Sequence, residues 1–368
     1  AIEYLTMEDN TYYGNKLAGN DWIYFGDKAK WVKFCYSGKI RQLSSLANKA
    51  NFVSEIAPVL VGYADKAILT NADNATVDVN GGGPDEPYSA YNNFWGTARG
   101  NLGTSYSQMA YAVQVMTGTV PLFDEEGNKV VCEDTLINWD SRYKYMLNPV
   151  QIVTDTNVTA KGHYDPRVVA KLGTYSDSCF QNVENLDSIK RHRYYSGCTV
   201  WGRWTTTNRT TLDGQGRWLY HDKAPYILMN AAEIKFCVAE AYYRMGDKAS
   251  ALQWWKEAIA DDMEFTASYL KPGKAAENEQ SVSGGDKITK ALFDQAAAEY
   301  LAGPFVGQLT TEDLTMSHIM MQKYVALYPW GSPEIWVDMR KNFYDVEYTG
   351  EYPHVDNGWT ENELAQKR

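Results

Sequence analysis

The stretch from Ala231 to Ile259 constrains the fold most. Ala232, Phe236, Ala239 and Tyr243 recur on one helical face. Gly246-Asp247 then breaks the pattern, and Ala251, Leu252, Trp255, Ala258 and Ile259 resume it. Gly246 is suited to the C′ position of the first helix, where a left-handed residue is needed. Small residues at 239, 251 and 258 let two antiparallel helices approach closely, and the aromatics fill the groove between them. Such a pair cannot bury its faces alone, so further helices must pack against it.

Other helices are legible around it. Asp27 is placed as N-cap for Lys28 onward, and Trp31, Phe34, Cys35, Leu43 and Leu46 follow at roughly helical spacing. Val53, Ile56, Val59 and Leu60 form a second apolar set, with Pro58 marking a break or bend. More helix is expected near 287–301 and 312–327. The segment 71–225 differs in character. It is rich in Gly, Asn, Thr and Tyr, with turn signals at Gly81-Gly82-Gly83-Pro84 and Asp213-Gly214. One helix is expected near 106–116, and a small hairpin near 198–204. Long irregular stretches of this kind tend to carry function. The expected architecture is therefore mainly α: a tetratricopeptide-like helical scaffold with a large irregular loop-rich ligand-binding region. It reads as a single domain, helical over 1–70, loop-rich over 71–225, tetratricopeptide-like over 226–345 and a tail over 346–368. The tetratricopeptide comparison rests on Val238-Ala239, Tyr242, Ala251, Trp255 and Ala258 at that repeat's offsets. Lys235 and Met263 replace its Trp and Pro, and an ordinary helical hairpin stays open beside it.

The formal net charge is −11, which works against a general nucleic-acid binder. No apolar run approaches the ~20 residues of a membrane helix, and Ala1-Ile2-Glu3-Tyr4-Leu5 lacks the features of a signal peptide. Five cysteines form no CxxC pair. Cys179 and Cys198 are spaced to bridge a loop, although sparse cysteines are more often small buried residues. HExxH, GxSxG, Walker and GxGxxG motifs are all absent. His163, His192, His221, His318 and His354 show no metal-ligand spacing and read as surface or satisfied core residues. Asp73, Asn74, Asp78 and Asn80 miss calcium-loop spacing and read as a solvated turn. Asp124-Glu125-Glu126 and Asp261-Asp262 read as solvated charge rather than a glycosidase pair. No catalytic residue, metal or cofactor is expected on these grounds.

The aromatic residues are the positive signal. There are 12 Trp, 27 Tyr and 11 Phe. Tyr194, Tyr195, Trp201, Trp204, Trp218 and Tyr220 are interleaved with Arg193, Arg203, Asn208, Arg209 and Arg217. Tyr88, Tyr91, Asn92, Asn93, Trp95 and Arg99 repeat that composition. Sugars present flat C–H faces and a rim of hydroxyls, which aromatic planes and polar side chains match respectively. The candidate ligand-binding residues are Trp201, Arg203, Trp204, Trp218, Tyr195, Tyr91 and Trp95. Trp254, Trp255 and Trp336 lie in the expected helices and read as core.

Three further stretches resemble the SusD-like (SusD/RagB) outer-membrane lipoproteins of Bacteroidetes. They are Asp21-Trp22-Ile23-Tyr24-Phe25-Gly26-Asp27 with Lys30-Trp31-Val32-Lys33-Phe34, then Pro225 through Glu233 with Ala239-Glu240-Ala241-Tyr242, and lastly Gln322-Lys323-Tyr324-Val325-Ala326-Leu327 with Glu334-Ile335-Trp336-Val337-Asp338-Met339-Arg340. Ser37-Gly38-Lys39-Ile40-Arg41 departs from that family's usual pattern. The resemblance implies a non-enzymatic cell-surface glycan-binding protein that delivers oligosaccharide to a SusC-like TonB-dependent transporter. It also implies attachment to the outer membrane's extracellular face through a lipid, and an N-terminal part outside this chain. A peptide-binding relative and an all-helical glycoside hydrolase are the alternatives.

Overall fold

Residues 1–7, 20–77, 165–167, 171, 219, 226–268, 290–303 and 306–342 are described by the structure, a computed structural model, together with the backbone of two short strands at 122–123 and 129–130. The fold is mostly helical with minimal sheet. A short helix α1 (Ile2–Thr6) precedes α2 (Lys28–Ser44), whose Asp27 cap accepts the Lys30 N–H at 3.1 Å as its sequence predicts. A π-helical turn at Phe52–Ile56 then hands over to α3 (Ala57–Val61). Pro58 lies in the first turn of α3, where its missing N–H costs no helical bond.

The central element is α4 (Ala231–Arg244). Helix α4 is buried nearly all round, from Ala231 through Ala241. One face, with Ala232, Phe236 and Ala239, joins a core shared with α5 (Lys248–Ala267), α6 (Lys290–Ala302), α7 (Met316–Leu327) and α8 (Ser332–Lys341). The opposite face, with Ala231, Ile234, Val238 and Ala241, packs on Ile40 of α2, Phe52, and Ala57 and Leu60 of α3. A helix buried on every side is one that neighbours enclose, its alanines keeping those neighbours close and its buried Glu233, Lys235 and Glu240 needing partners. Gly246 takes φ +85 at the C′ position its sequence predicts and closes α4 with two hydrogen bonds: its N–H reaches Tyr243 O at 3.0 Å and the Asp247 N–H reaches Tyr242 O at 3.0 Å.

The block from 226 does not open as helix. Tyr226–Met229 is strand β4, paired antiparallel with β1 (Ala75–Val77). Ile227 and Met229 point into the cores while Tyr226 and Leu228 are only partly covered, the two-residue alternation of a strand. Asn230 then caps α4, accepting the Glu233 N–H at 2.9 Å, so the helix cannot begin earlier. A second ladder among the described residues joins β2 (Leu122–Phe123) to β3 (Lys129–Val130). The expected helix near 106–116, the hairpin near 198–204, the turns at 81–84 and 213–214 and the tail at 346–368 lie outside the described residues.

Candidate functional site

All seven candidate ligand-binding residues, Tyr91, Trp95, Tyr195, Trp201, Arg203, Trp204 and Trp218, lie outside the described residues, as do Cys179 and Cys198. The structure describes instead how the segment that carries them is rooted. In the β1–β4 ladder Val77 faces Tyr226 and Thr76 faces Ile227. The stretch between Val77 and Tyr226 therefore begins and ends side by side. Residues 78–225 form one excursion with adjacent ends. Asn74 reinforces this base, its Oδ1 accepting the Ala231 N–H at 2.9 Å.

Within the excursion Arg167 and Lys171 are buried against the scaffold. Arg167 donates to both oxygens of Asp165, to Asp262 Oδ2 of α5 at 2.8 Å and to Gln322 Oε1 of α7. Lys171 Nζ donates to Asp262 Oδ2 at 2.9 Å and to the Val325 carbonyl at 2.7 Å. Burial pushes the Lys171 ammonium down to about 8; Asp262 opposes the shift and Arg167 adds to it. Arg167 moves upward, since Asp165 and Asp262 outweigh the burial that disfavours its charge. Leu219, near the excursion's other end, belongs to the core around α5. Neither cation was singled out from the sequence. Their signal is two basic residues one helical turn apart around the apolar Val168-Val169-Ala170.

Glu233, Glu240, Lys323, Glu334 and Asp338, which lie in the stretches that carry the family resemblance, are held in ion pairs, most of them by Arg41 and Lys341 outside those stretches. Arg41 of α2 grips Glu233 with two hydrogen bonds at 2.5 and 2.7 Å and also pairs with Glu334 at 3.4 Å. Lys341 Nζ meets Glu240 at 2.6 Å and Asp338 at 2.8 Å, and Lys323 meets Asp338 at 2.8 Å. Burial works against the Glu240 charge, but Lys341, Arg244 and Lys323 overcome it and hold the carboxyl well below its usual range. Glu233 stays raised because burial prevails over Arg41. These buried pairs tie α2, α4, α7 and α8 together, a structural role rather than a ligand-facing one.

Three expectations are corrected. Asp73 and Asn74 are no solvated turn: Asp73 is buried, pairs with Lys33 at 2.8 Å and accepts from Thr70 at 3.0 Å. Asp262 is fully buried between two cations, and Asp261 pairs with Lys235 at 2.8 Å, so that carboxylate pair is not solvated charge. Trp336 is 48% exposed on the outer face of α8, whereas Trp255 is buried and Trp254 packs at the core's edge. His318 fits its expected part as a satisfied core residue, with Nδ1 accepting the Thr315 N–H at 3.2 Å. Among the described residues no group of three or more His, Cys, Asp or Glu is placed to hold a metal ion. None of their helices is long and apolar enough to cross a membrane.

Comparison with known proteins follows the same outline. No curated protein matches the chain. A SusD homolog from Parabacteroides distasonis superposes with a TM-score of 0.50 at 16% identity, over 88% of this chain and 55% of that one. A SusD/RagB family protein from Bacteroides thetaiotaomicron gives 0.48 at 17% identity, over 94% of this chain and 58% of that one. This chain thus spans less than two thirds of the length of either. The SusD-like family pattern, described as starch-binding and associating with the outer membrane, matches residues 2–349. Because that match runs from α1 to beyond the end of α8, the chain belongs to the SusD-like family of starch-binding proteins that associate with the outer membrane.

Proposed function

We propose that this protein captures oligosaccharide at the extracellular face of the outer membrane and passes it to a SusC-like TonB-dependent transporter, without chemical turnover. A lipid anchor holds it to the membrane in this reading. The observation that carries it is the match to a starch-binding family across residues 2–349. The described ends of this stretch support the reading: Val77 and Tyr226, which bracket the aromatic- and arginine-rich segment 78–225, pair in the β1–β4 ladder. A rigid support reduces the ordering cost of binding. Within the excursion, Trp201 and Trp204 supply stacking planes, Arg203 a hydroxyl partner, and Tyr195, Trp218, Tyr91 and Trp95 the surrounding wall.

Calorimetric titration with maltoheptaose, other neutral oligosaccharides and a peptide panel tests the proposal. Binding of oligosaccharide and not of peptide is expected. Replacing Trp201 or Trp204 by alanine should weaken it by ~1–3 kcal/mol, by analogy with stacking of bases on aromatic side chains. If both variants stay folded and bind like wild type, the ligand face lies elsewhere. Steady release of reducing sugar from polysaccharide by the purified protein would overturn the non-enzymatic part.

A further inference from the structure

The turn at Asp21–Asp27 is built at a cost. Asp21 Oδ1 accepts the N–H groups of Ile23 at 3.0 Å and Tyr24 at 3.2 Å. Its Oδ2 accepts the Gly26 N–H at 2.9 Å and the Trp31 indole N–H at 2.6 Å. The Phe25 N–H closes the turn onto Asp21 O at 3.2 Å. Phe25 is thereby held at φ 51, a left-handed conformation that a bulky side chain rarely adopts, and Gly26 follows at φ 87. Asparagine or glycine would sit at position 25 with less strain. The interior of the turn does not need the ring. Tyr24 fills that space, buried, with its hydroxyl donating to Asp73 O at 2.8 Å. Phe25 is 46% exposed and Trp22 is 53% exposed. Strained backbone held by many surrounding bonds, with large aromatics turned to solvent, points to a use outside the fold.

The place of the turn narrows that use. Tyr24 bonds Asp73 O, Lys30 Nζ bonds Ala72 O at 2.6 Å, and Lys33 pairs with Asp73 at 2.8 Å. These contacts fasten the turn, and the first turns of α2 that follow it, to the chain just ahead of β1. Two rings are far too little surface for a protein interface, which needs ~800 Å² on each side. They are enough to face one or two sugar rings, and the rigid turn spares them the cost of ordering. We infer that Trp22 and Phe25, three residues apart on this rigid turn, offer pyranose-stacking planes for a neutral glycan on the scaffold itself. This rests on the oligosaccharide reading above.

Titration of maltoheptaose and a panel of neutral glycans into wild type, Trp22→Ala, Phe25→Asn and the double variant tests it. Phe25→Asn removes the ring at a residue suited to φ 51, so its melting temperature should not fall. The expected result is about fivefold weaker binding or more for each single variant, about the loss one stacking plane causes, and a larger loss for the double. Wild-type binding retained unchanged in all three folded variants would overturn the inference and leave the oligosaccharide reading standing. Wild type binding no glycan would overturn both. Unchanged glycan binding with weakened association to a transporter barrel would assign the pair to a protein partner and equally overturn it.

Discussion

His318 shows how one buried side chain sets a response to acid. It is the third residue of α7, where Thr315 and His318 cap each other: the Thr315 hydroxyl accepts the His318 N–H, and His318 Nδ1 accepts the Thr315 N–H at 3.2 Å. Burial lowers its pKa from 6.5 to about 4, with Asp313 opposing and Lys248 adding to the shift. The unfolded chain therefore binds a proton between those values that the folded chain refuses. Stability from this group is complete above pH 6.5 and is lost as pH falls toward 4, by up to about 3 kcal/mol. Glutamine is the usual partner at this capping position. His318→Gln should keep the melting temperature at pH 7.5 and flatten its fall between pH 6.5 and 4. A fall as steep as that of wild type would mean that carboxylates, not His318, govern this window. Local rules of this kind are also what made Asp27 and Gly246 readable in advance, since a cap or a C′ glycine answers to neighbours within a few residues. Glu240 has one local partner in Arg244, but its tie to α8 was hidden because Lys341 is 101 residues away.

At the scale of elements, the hairpin of α4 and α5 was legible because its spacing is local and its small residues have one physical use. Ala239, Ala251 and Ala258 are all fully buried in the shared core. Replacing Ala239 or Ala251 with leucine should destabilise by ~1–3 kcal/mol through overpacking. Urea denaturation measures this, and unchanged midpoints for both variants would refute the close approach of the helices. Gly307 marks a second tight approach: a Cβ there would stand 2.6 Å from the Leu301 carbonyl oxygen and 2.7 Å from the Ala302 carbonyl carbon. The β1–β4 ladder was not legible. Three residues at 75–77 and four at 226–229 carry too little alternation to announce a strand, and their pairing spans the whole excursion. Trp336 was misread because membership of a helix does not fix which face a residue takes. Ile335, Asp338 and Met339 occupy the inner face of α8, leaving Trp336 and Val337 outside.

At the scale of the molecule, one buried carboxylate joins the scaffold to described residues of the excursion. Asp262 of α5 is fully buried, with Arg167 Nη1 at 2.8 Å and Lys171 Nζ at 2.9 Å. Removing one partner of a buried ion pair strands the other charge, at a cost of ~3–5 kcal/mol. Asp262→Ala strands two cations at once, although Asp165 stays with Arg167 at 2.6 Å. The variant should lower stability by at least that amount in urea denaturation. It should also expose new protease sites within 78–225, because Arg167 and Lys171 are, among the described residues, the excursion's charged hold on α5 and α7. The triple replacement Arg167→Met, Lys171→Met and Asp262→Leu should recover part of the loss, since apolar side chains of similar volume often replace buried ions without penalty. Recovery stays partial because the Val325 and Ala326 carbonyls and Gln322 lose their donors. An Asp262→Ala variant within about 1 kcal/mol of wild type would show that the cations find another anion or water, and that the excursion is held by the β1–β4 ladder and Leu219 instead.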